Sequence, residues 1–320
     1  MKVVIACIET RNPPETLQAF DGWDVTVHRV IGINQDAMGL YRRADGIITE
    51  LHTITDDMMK GFERCRIIAC ASTGFDYVDF KAAARRGIWV TNCPGYCTDE
   101  VATHTMALLL SQARRLPQVR RLVREGEWDP RPLRPLPHVR GQTLGIIGWG
   151  RIGRAVSAKA QALGFNVIAD DPYVDPKMME AAGVRPADKE TVLRESDYVS
   201  LHTPLTAETR HMMDARMLAL MKPTAYLINT ARGALIDEPA LLAAVQNEKV
   251  AGAAVDVLTV EPPAPDHPFL HDDRIAITPH IAWCSEEADG AVWEWAAENV
   301  ARVFRGEDPL HAVNQPQVMA

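Results

Sequence analysis

The chain has 320 residues, a formal net charge of −8 at pH 7, and ordinary contents of hydrophobic (47%) and charged (24%) residues. This length favours about two domains with a large core, and the negative charge argues against nucleic acid or an anionic membrane as the partner. No apolar run is long enough to cross a membrane, and the run in MKVVIACIET is too short for a signal peptide. A cytoplasmic protein is expected.

The six cysteines indicate free thiols rather than a disulfide framework or a zinc site. They show neither C-x-x-C pairing nor closely spaced histidine ligands, and they lie at Cys7, Cys65, Cys70, Cys93, Cys97 and Cys284. This usage is typical of a reducing compartment, so we expect reduced cysteines and no bound metal.

Residues 1–97 alternate strand-like apolar runs with polar or helix-compatible segments. The runs are VVIACI, WDVTVH, GIIT, RIIACAS and GIWVTNC, and the segments between them include Thr55–Cys65 and Asp79–Arg86. Such alternation predicts a parallel sheet with helices on its faces. The loop Ser72–Asp76 places Gly74 at the carboxyl end of the fourth strand, where open α/β sheets bind ligands.

A long helix is predicted over residues 98–116, followed by an irregular segment. Thr98 suits the N-cap, and Asp99 and Glu100 suit the first turn, where acidic side chains are favourable. Residues 126–142 then hold four prolines without hydrophobic periodicity, which indicates an extended connection between domains.

Residues 141–171, GQTLGIIGWGRIGRAVSAKAQALGFNVIADD, have the order that a dinucleotide site requires. An apolar strand precedes three glycines spaced G-x-G-x-x-G, then a helical pattern and a second apolar run. Such glycines permit a tight turn, close approach of a pyrophosphate and close packing of the helix, and here they are Gly148, Gly150 and Gly153. Asp170 and Asp171 end the second run, where a carboxylate can bind the adenosine ribose.

The alternation resumes after this stretch and gives about six strands from Thr143 onward, as in a doubly wound dinucleotide domain. A final helix is predicted from Ser285 to Phe304, with Gly306 ending it. Trp293 and Trp295 lie two residues apart, so they cannot share one helical face. One is expected in the core, and the other in contact with another domain or subunit.

Several polar side chains lie shortly after predicted strands in the second half of the chain. They are His202, Arg232, Asp256, Glu261 and His280. Parallel strands present such positions at one edge, beside the glycine loop, so a cation, carboxylates and imidazoles can meet there. Each has a structural alternative: Arg232 could pair with Asp237, Glu261 could be a solvated loop charge, and His280 could be a buried histidine. Their shared placement favours a common site.

Six segments carry a family resemblance: ASTGFDYVDFKAAARRGIWVTNCPGY, TLGIIGWGRIGRAV, VSLHTPLTAETRHMMD, MKPTAYLINTARGALIDEPAL, GAAVDVLTVEPP and TPHIAW. Through them the chain resembles the D-isomer-specific 2-hydroxyacid dehydrogenases along nearly its whole length. The resemblance implies an α/β protein with a doubly wound parallel-sheet (Rossmann) cofactor domain, residues 101–287. That domain is inserted into a flavodoxin-like α/β substrate domain, residues 1–100 plus 288–320. A homodimer formed through the cofactor domain is also implied.

The resemblance further implies the roles of individual residues. Arg232, Glu261 and His280 form the catalytic set. The cofactor is NAD, and its expected contacts are Thr105, Gly148, Gly150, Arg151, Ile152, Gly153, Asp171, His202, Thr203, Pro204, Thr230, Ala231, Arg232, Asp256 and His280. The expected substrate contacts are Thr73, Gly74, Arg232, His280 and Trp283. For Trp283, lining the pocket and packing beneath its loop are both open.

The implied activity is hydride transfer between NAD(H) and C2 of a small 2-oxo or 2-hydroxy acid, as in glyoxylate and hydroxypyruvate reductases. One alternative is a D-3-phosphoglycerate dehydrogenase without a regulatory domain. The other is a non-catalytic, NADH-sensing binding protein, because CTDEV and HIAW are similar to segments of the related corepressors. Departures from the family are modest: Asp170 stands where tyrosine is frequent, and Trp149 fills the variable second position of the glycine loop.

Overall fold

A computed structural model describes residues 1–7, 16–31 and 35–317 of the chain. The chain divides into two compact units, a first unit of Met1–Tyr96 with Ser285–Ala320 and a second unit of Cys97–Cys284. The domain boundaries implied by the family resemblance lie a few residues further along, between residues 100 and 101 and between residues 287 and 288. Across the described ranges, no helix combines the length and the apolar character needed to cross a membrane.

The first unit is built on a five-stranded parallel sheet with the strand order β2-β1-β3-β4-β5. Its strands are β1 (Lys2–Cys7), β2 (Thr26–Ile31), β3 (Gly46–Thr49), β4 (Ile67–Cys70) and β5 (Trp89–Thr91). The helices between them are α1 (Gln35–Arg42), α2 (Asp56–Met59) and α3 (Phe80–Arg85). This strand order is that of flavodoxin-like folds, as the resemblance implied.

The second unit is a seven-stranded parallel sheet with the order β12-β11-β10-β9-β6-β7-β8. Its strands are β6 (Thr143–Ile147), β7 (Asn166–Asp170), β8 (Arg185–Pro186), β9 (Tyr198–Leu201), β10 (Tyr226–Asn229), β11 (Gly252–Val255) and β12 (Ile275–Ile277). Its helices are α4 (Thr98–Ala113), α5 (Leu116–Arg124), α6 (Arg151–Ala162), α7 (Pro176–Ala181), α8 (Lys189–Glu195), α9 (Ala215–Leu218) and α10 (Glu238–Gln246). The strand order reverses between β6 and β9, which confirms the doubly wound fold.

Two predictions about secondary structure in this unit need correction. The helix predicted over 98–116 ends at Ala113, because Arg115 adopts a left-handed conformation with φ 49° and α5 begins afresh beyond it. Helix α5 was not predicted from the sequence. The sheet has seven strands rather than about six, since the two-residue β8 escapes a search for apolar runs. Pro186 is tolerated in β8 because that strand is at the sheet edge.

The last helix, α11 (Glu286–Arg305), belongs to the first unit and has clear end signals. Ser285 caps it by accepting a hydrogen bond from the backbone N–H of Ala288, and Gly306 ends it with φ 82°. Trp293 is 1% exposed and Trp295 is 39% exposed, so the two indoles do point to different sides of the helix.

Both sheets are covered on both faces, as their parallel strands require. In β1, Val3 and Ile5 lie in one apolar cluster while Val4 and Ala6 lie in another. In β6, Leu144 and Ile146 pack into one cluster and Ile147 packs into the cluster on the opposite face. Because apolar packing covers the faces, the loops at the carboxyl ends of the strands are the expected place for a polar site.

Candidate active site

The glycine loop follows β6 at the point where the strand order reverses. A Cβ atom on Gly148, which has φ 93°, would lie 2.7 Å from the backbone of His202, and one on Gly153 would lie 2.4 Å from the carbonyl oxygen of Gly148. Both positions therefore exclude any larger residue. A Cβ on Gly150 would meet nothing within 4 Å. This middle glycine faces open space, as expected where a ligand approaches the backbone.

The helix that begins here, α6, leaves its first N–H groups available. Its N-cap is Gly150, which offers no side chain to bond them. A helix N-terminus with unbonded N–H groups attracts phosphate through its donors and its dipole. Arg151 is exposed at this end, and Ile152 is partly buried. The loop and helix therefore fit the pyrophosphate of a dinucleotide. The Trp149 side chain is buried, and its indole N–H donates to the Ser157 hydroxyl at 2.9 Å.

Asp171 is fixed at the carboxyl end of β7 by two backbone groups. One carboxylate oxygen accepts from the N–H of Trp149 at 2.8 Å, and the other accepts from the N–H of Tyr173 at 3.0 Å. Burial raises the pKa of the neighbouring Asp170 above its ordinary value. Both acids line a cavity of about 280 Å³ whose other walls include Val174 and Met179. A carboxylate beside an apolar cavity fits an adenosine with its ribose hydroxyls.

The turn that carries Arg232 is held by Asn229, the last residue of β10. The fully buried Asn229 accepts a hydrogen bond from the N–H of Ala231 at 3.0 Å and donates to the carbonyl of Arg232 at 2.8 Å. A Cβ on Gly233 would lie 2.0 Å from the backbone of Leu258, so the chain must be closely packed just after the arginine. Asp237, the alternative partner of Arg232, caps α10 by accepting from the N–H of Ala240.

Glu261 and His280 form a direct pair. The imidazole Nδ1 of His280 lies 2.7 Å from one carboxylate oxygen of Glu261, and the other oxygen accepts from the N–H of Leu258 at 2.8 Å. The two side chains are 26% and 33% exposed, respectively. The histidine is therefore not buried in the core, and the glutamate is not an isolated loop charge. A carboxylate in this position orients the ring and stabilises its protonated form.

The Glu261 carboxyl has a pKa below its ordinary value. Partial burial alone would raise this pKa, but three effects together outweigh it: the hydrogen bond and charge of His280, the N–H of Leu258, and the charge of Arg232. Glu261 is therefore ionised at neutral pH. The influence of Arg232 on this carboxyl links the arginine electrostatically to the pair, while the catalytic role of the three side chains stays a prediction.

Asp256 is almost fully buried and holds the segment that carries His280. Its carboxylate accepts from the hydroxyl of Thr278 at 2.5 Å and from the backbone N–H groups of Ile281 and Ala282 at 3.0 and 2.9 Å. The indole N–H of Trp283 donates to the carbonyl of His280 at 2.9 Å. This bond supports the packing alternative for Trp283, while its predicted contact with substrate stays a prediction.

The other expected cofactor residues of this unit lie at the same strand ends, except Thr105, which is on helix α4. Desolvation lowers the pKa of His202 to about 4, so its ring is neutral at physiological pH. Of the two residues that follow it, Thr203 is partly buried and Pro204 is exposed. Thr105 is fully buried on α4, and its hydroxyl lies 2.8 Å from that of Thr230. A direct contact of Thr105 with the cofactor stays a prediction.

Thr73 and Gly74 lie in the first unit, at the carboxyl end of β4. The amide of Asn92 donates to the carbonyl of Thr73 at 2.7 Å, and the hydroxyl of Ser72 donates to the carbonyl of Gly74 at 2.6 Å. The turn is therefore braced by side chains from two strand ends. Its expected contact with a substrate carboxylate stays a prediction.

Sequence reasoning missed three supporting residues of the second unit. They are Asn229, Thr278 and His104, all of which bond to site residues or to each other. Asn229 carried a usable sign, because it is a polar residue that ends an otherwise apolar strand. No group of three or more His, Cys, Asp or Glu side chains within the described ranges is arranged to hold a metal ion.

Comparison with known proteins identifies relatives of this architecture. Residues 106–282 match the family model described as "D-isomer specific 2-hydroxyacid dehydrogenase, NAD binding domain". A glyoxylate reductase of Korarchaeum cryptofilum is 41% identical over 83% of this chain and 81% of its own length. A D-3-phosphoglycerate dehydrogenase of Methanocaldococcus jannaschii is 39% identical over 86% of this chain, which spans only 52% of that relative. The structure of a D-lactate dehydrogenase from Aquifex aeolicus, complexed with NAD and lactic acid, has a TM-score of 0.89 at 28% identity, covering 98% of this chain and all (100%) of that one.

Proposed function

The chain belongs to the D-isomer-specific 2-hydroxyacid dehydrogenase family, and from that premise we propose that it interconverts a small 2-oxo acid and its 2-hydroxy acid with NAD(H). The observation that carries this proposal is the 2.7 Å contact of His280 with Glu261, with Arg232 near enough to lower the pKa of the same carboxyl. These groups lie in the unit that also holds the glycine loop and Asp171.

The proposed mechanism assigns one task to each of the three side chains. NAD(H) would supply or accept the hydride when bound. Arg232 binds the substrate carboxylate with its planar guanidinium, a geometry that lysine cannot reproduce. His280 donates a proton to the carbonyl oxygen during reduction and accepts it back during oxidation. Glu261 keeps the ring of His280 in place and stabilises its protonated form.

The proposed cofactor site uses the residues at the carboxyl ends of β6, β7, β9, β10 and β11. The loop from Gly148 to Gly153 and the start of α6 would hold the pyrophosphate, and Asp171 would hold the adenosine ribose. The nicotinamide end would be held by the Thr230–Arg232 turn and by Asp256. The open space at Gly150 and the cavity beside Asp171 support this placement.

We expect a preference for NADH over NADPH. A 2′-phosphate beside Asp171 would meet a like charge, worth ~4 kcal/mol at ~4 Å and an effective dielectric of ~20. Solvent and side-chain movement reduce this, so the ratio of kcat/KM values should be roughly 10 to 1000. Steady-state kinetics with both cofactors measure it. Asp171→Ala should collapse the ratio, while the matched change Asp170→Asn should keep most of it. Equal use of both cofactors by the unaltered protein would refute this role of Asp171.

We expect unphosphorylated 2-oxo acids to be better substrates than 3-phosphohydroxypyruvate. The substrate turn Ser72–Asp76 contains no Arg or Lys that could pair with a phosphate, and Asp76 adds a negative charge. Glyoxylate, hydroxypyruvate or pyruvate should exceed the phosphorylated acid in kcat/KM by about tenfold or more, equivalent to ~1.4 kcal/mol. NADH oxidation with this panel tests the proposed function directly. The reverse order would indicate a phosphoglycerate dehydrogenase, and NADH binding without turnover would favour a non-catalytic binding protein.

We also propose a homodimer and a cytoplasmic location. None of the side chains of helix α5 is buried. Its apolar residues Leu116 and Val123 are about half exposed, and Trp128, which lies beyond the helix, is 89% exposed. Exposed apolar side chains in such a group support a subunit interface. The five cysteines whose side chains the structure describes are free thiols, which supports a reducing compartment.

A further inference from the structure

A chain of three polar side chains connects α4 to the segment that carries His280. The imidazole Nε2 of His104 lies 3.0 Å from the hydroxyl of Thr278, which lies 2.5 Å from a carboxylate oxygen of Asp256. The same imidazole nitrogen is 3.5 Å from that carboxylate oxygen. The His104 side chain is 21% exposed and that of Asp256 is 1% exposed, so the chain runs from near the surface into the interior.

The chemistry of these groups fixes the direction of the hydrogen bonds. A carboxylate only accepts, so the hydroxyl of Thr278 must donate its single proton to Asp256. The oxygen of Thr278 is then left as an acceptor, and it requires a proton on Nε2 of His104. The geometry therefore selects the Nε2-protonated form of His104 and aligns all three groups in one direction.

Thr278 and Asp256 also contact a strained part of the backbone, at His280. His280 has φ 54°, a conformation that non-glycine residues rarely adopt and that persists only where the surroundings hold it. Its backbone N–H is within hydrogen-bond distance of the carbonyls of both Asp256 and Thr278, at 2.8 and 3.0 Å. Asp256 and Thr278, whose side chains bond to each other, are therefore also the two residues whose carbonyls contact the backbone N–H of His280.

We propose that His104 is a positioning residue for His280 and acts through Thr278 and Asp256. His104 fixes the side chain of Thr278, and Thr278 fixes one carboxylate oxygen of Asp256. The carboxylate of Asp256 in turn accepts hydrogen bonds from the N–H groups of Ile281 and Ala282. His104 does not touch the reacting atoms. The expected effect of His104 on turnover rests on the proposed function. Its expected effect on the order of the backbone at residues 278–282 does not.

Variants of His104 test the inference in the full chain. His104→Phe keeps a ring of similar size but removes the donor, and it should lower kcat about 10–100-fold, the range typical of lost outer-layer support, with a smaller change in KM. His104→Gln restores an N–H donor at the end of the side chain and should recover most of the loss. His271→Phe, the same change at an exposed position that ends a short 3-10 helix, should leave kcat unchanged.

Hydrogen exchange supplies a readout that is independent of turnover. In His104→Phe, the amides of residues 278 and 280–284 should exchange faster while the glycine loop is unaffected, and His104→Gln should restore protection. If His104→Phe had a lower melting temperature but normal kcat and normal exchange in this segment, His104 would serve only to fill space. This result would overturn the inference. If the unaltered protein reduces no 2-oxo acid, the proposed function fails, but the exchange result still decides the role of His104.

A double-mutant cycle tests the route through Thr278. Thr278→Val removes the hydroxyl that joins His104 to Asp256 and should lower kcat by a similar factor. Because both changes break one chain, the double variant should be no slower than the slower single variant. Multiplication of the two losses would mean that His104 acts by another route, and this would also overturn the inference.

Discussion

Replacing His280 with alanine is expected to lower kcat for 2-oxo acid reduction by about 10²–10⁴, the usual contribution of a general acid. Nδ1 of the ring is bonded to Glu261, and the backbone is held by Asp256, so the ring is presented in one orientation. The affinity for NADH should change little, because His280 is only one of many expected cofactor contacts and the glycine loop and Asp171 stay intact. Steady-state turnover and a fluorescence titration with NADH measure the two quantities.

Glu261→Gln is the matched comparison for this result. The amide still accepts hydrogen bonds but removes the negative charge, so the loss in kcat should be smaller than for His280→Ala. The protonated ring loses its charged partner, and the alkaline limb of the pH profile for reduction should therefore move to lower pH. Turnover of a folded His280→Ala protein near that of the unaltered chain would remove His280 from the proton-transfer role.

Replacing Arg232 with methionine is expected to be the second large effect. Loss of one partner of a paired carboxylate contact costs 2–5 kcal/mol, so kcat/KM for 2-oxo acids should fall roughly 30- to 5000-fold. Arg232→Lys should recover only part of the loss, because an ammonium cannot form two parallel hydrogen bonds to the carboxylate. Initial rates over a range of substrate concentrations separate kcat from KM.

Arg216→Met is the matched control for this experiment. Arg216 is an exposed arginine of the same unit, paired with Glu190 on the surface. Such surface pairs contribute little, so its removal should leave kcat/KM within experimental error. If Arg232→Met retained the catalytic efficiency of the unaltered chain, the assignment of the substrate carboxylate to Arg232 would be wrong.

Features that depend on neighbours in sequence were predicted well. The glycine loop is the clearest case. A Cβ atom at Gly148 or Gly153 would clash with nearby backbone atoms, and the spacing of the glycines in the sequence indicates both positions. The alternation of apolar runs predicted both parallel sheets, because each strand is buried on both faces. The position of Asp171 at the end of β7 followed from the length of one strand–helix–strand unit.

Weak local patterns explain where the predictions of secondary structure were wrong. Helix α5 follows α4 after one residue in a left-handed conformation, and nothing in the sequence marks Arg115 for that conformation. The two residues of β8 pair along β7 at the sheet edge, and a strand of that length has no periodicity to detect. Both elements depend on the packing of neighbouring segments more than on local preference.

The sequence by itself determined the family of folds, the dinucleotide loop and the three side chains of the proposed catalytic set. Only the tertiary structure decided how those side chains are held. His104 and Thr278 are 174 residues apart, and Asp256 and Ala282 are 26 apart, yet they bond to one another. Motif spacing and periodicity report interactions within one element. The support of His280 arises where α4, β11 and the segment after β12 meet, and that meeting exists only once the sheet has formed.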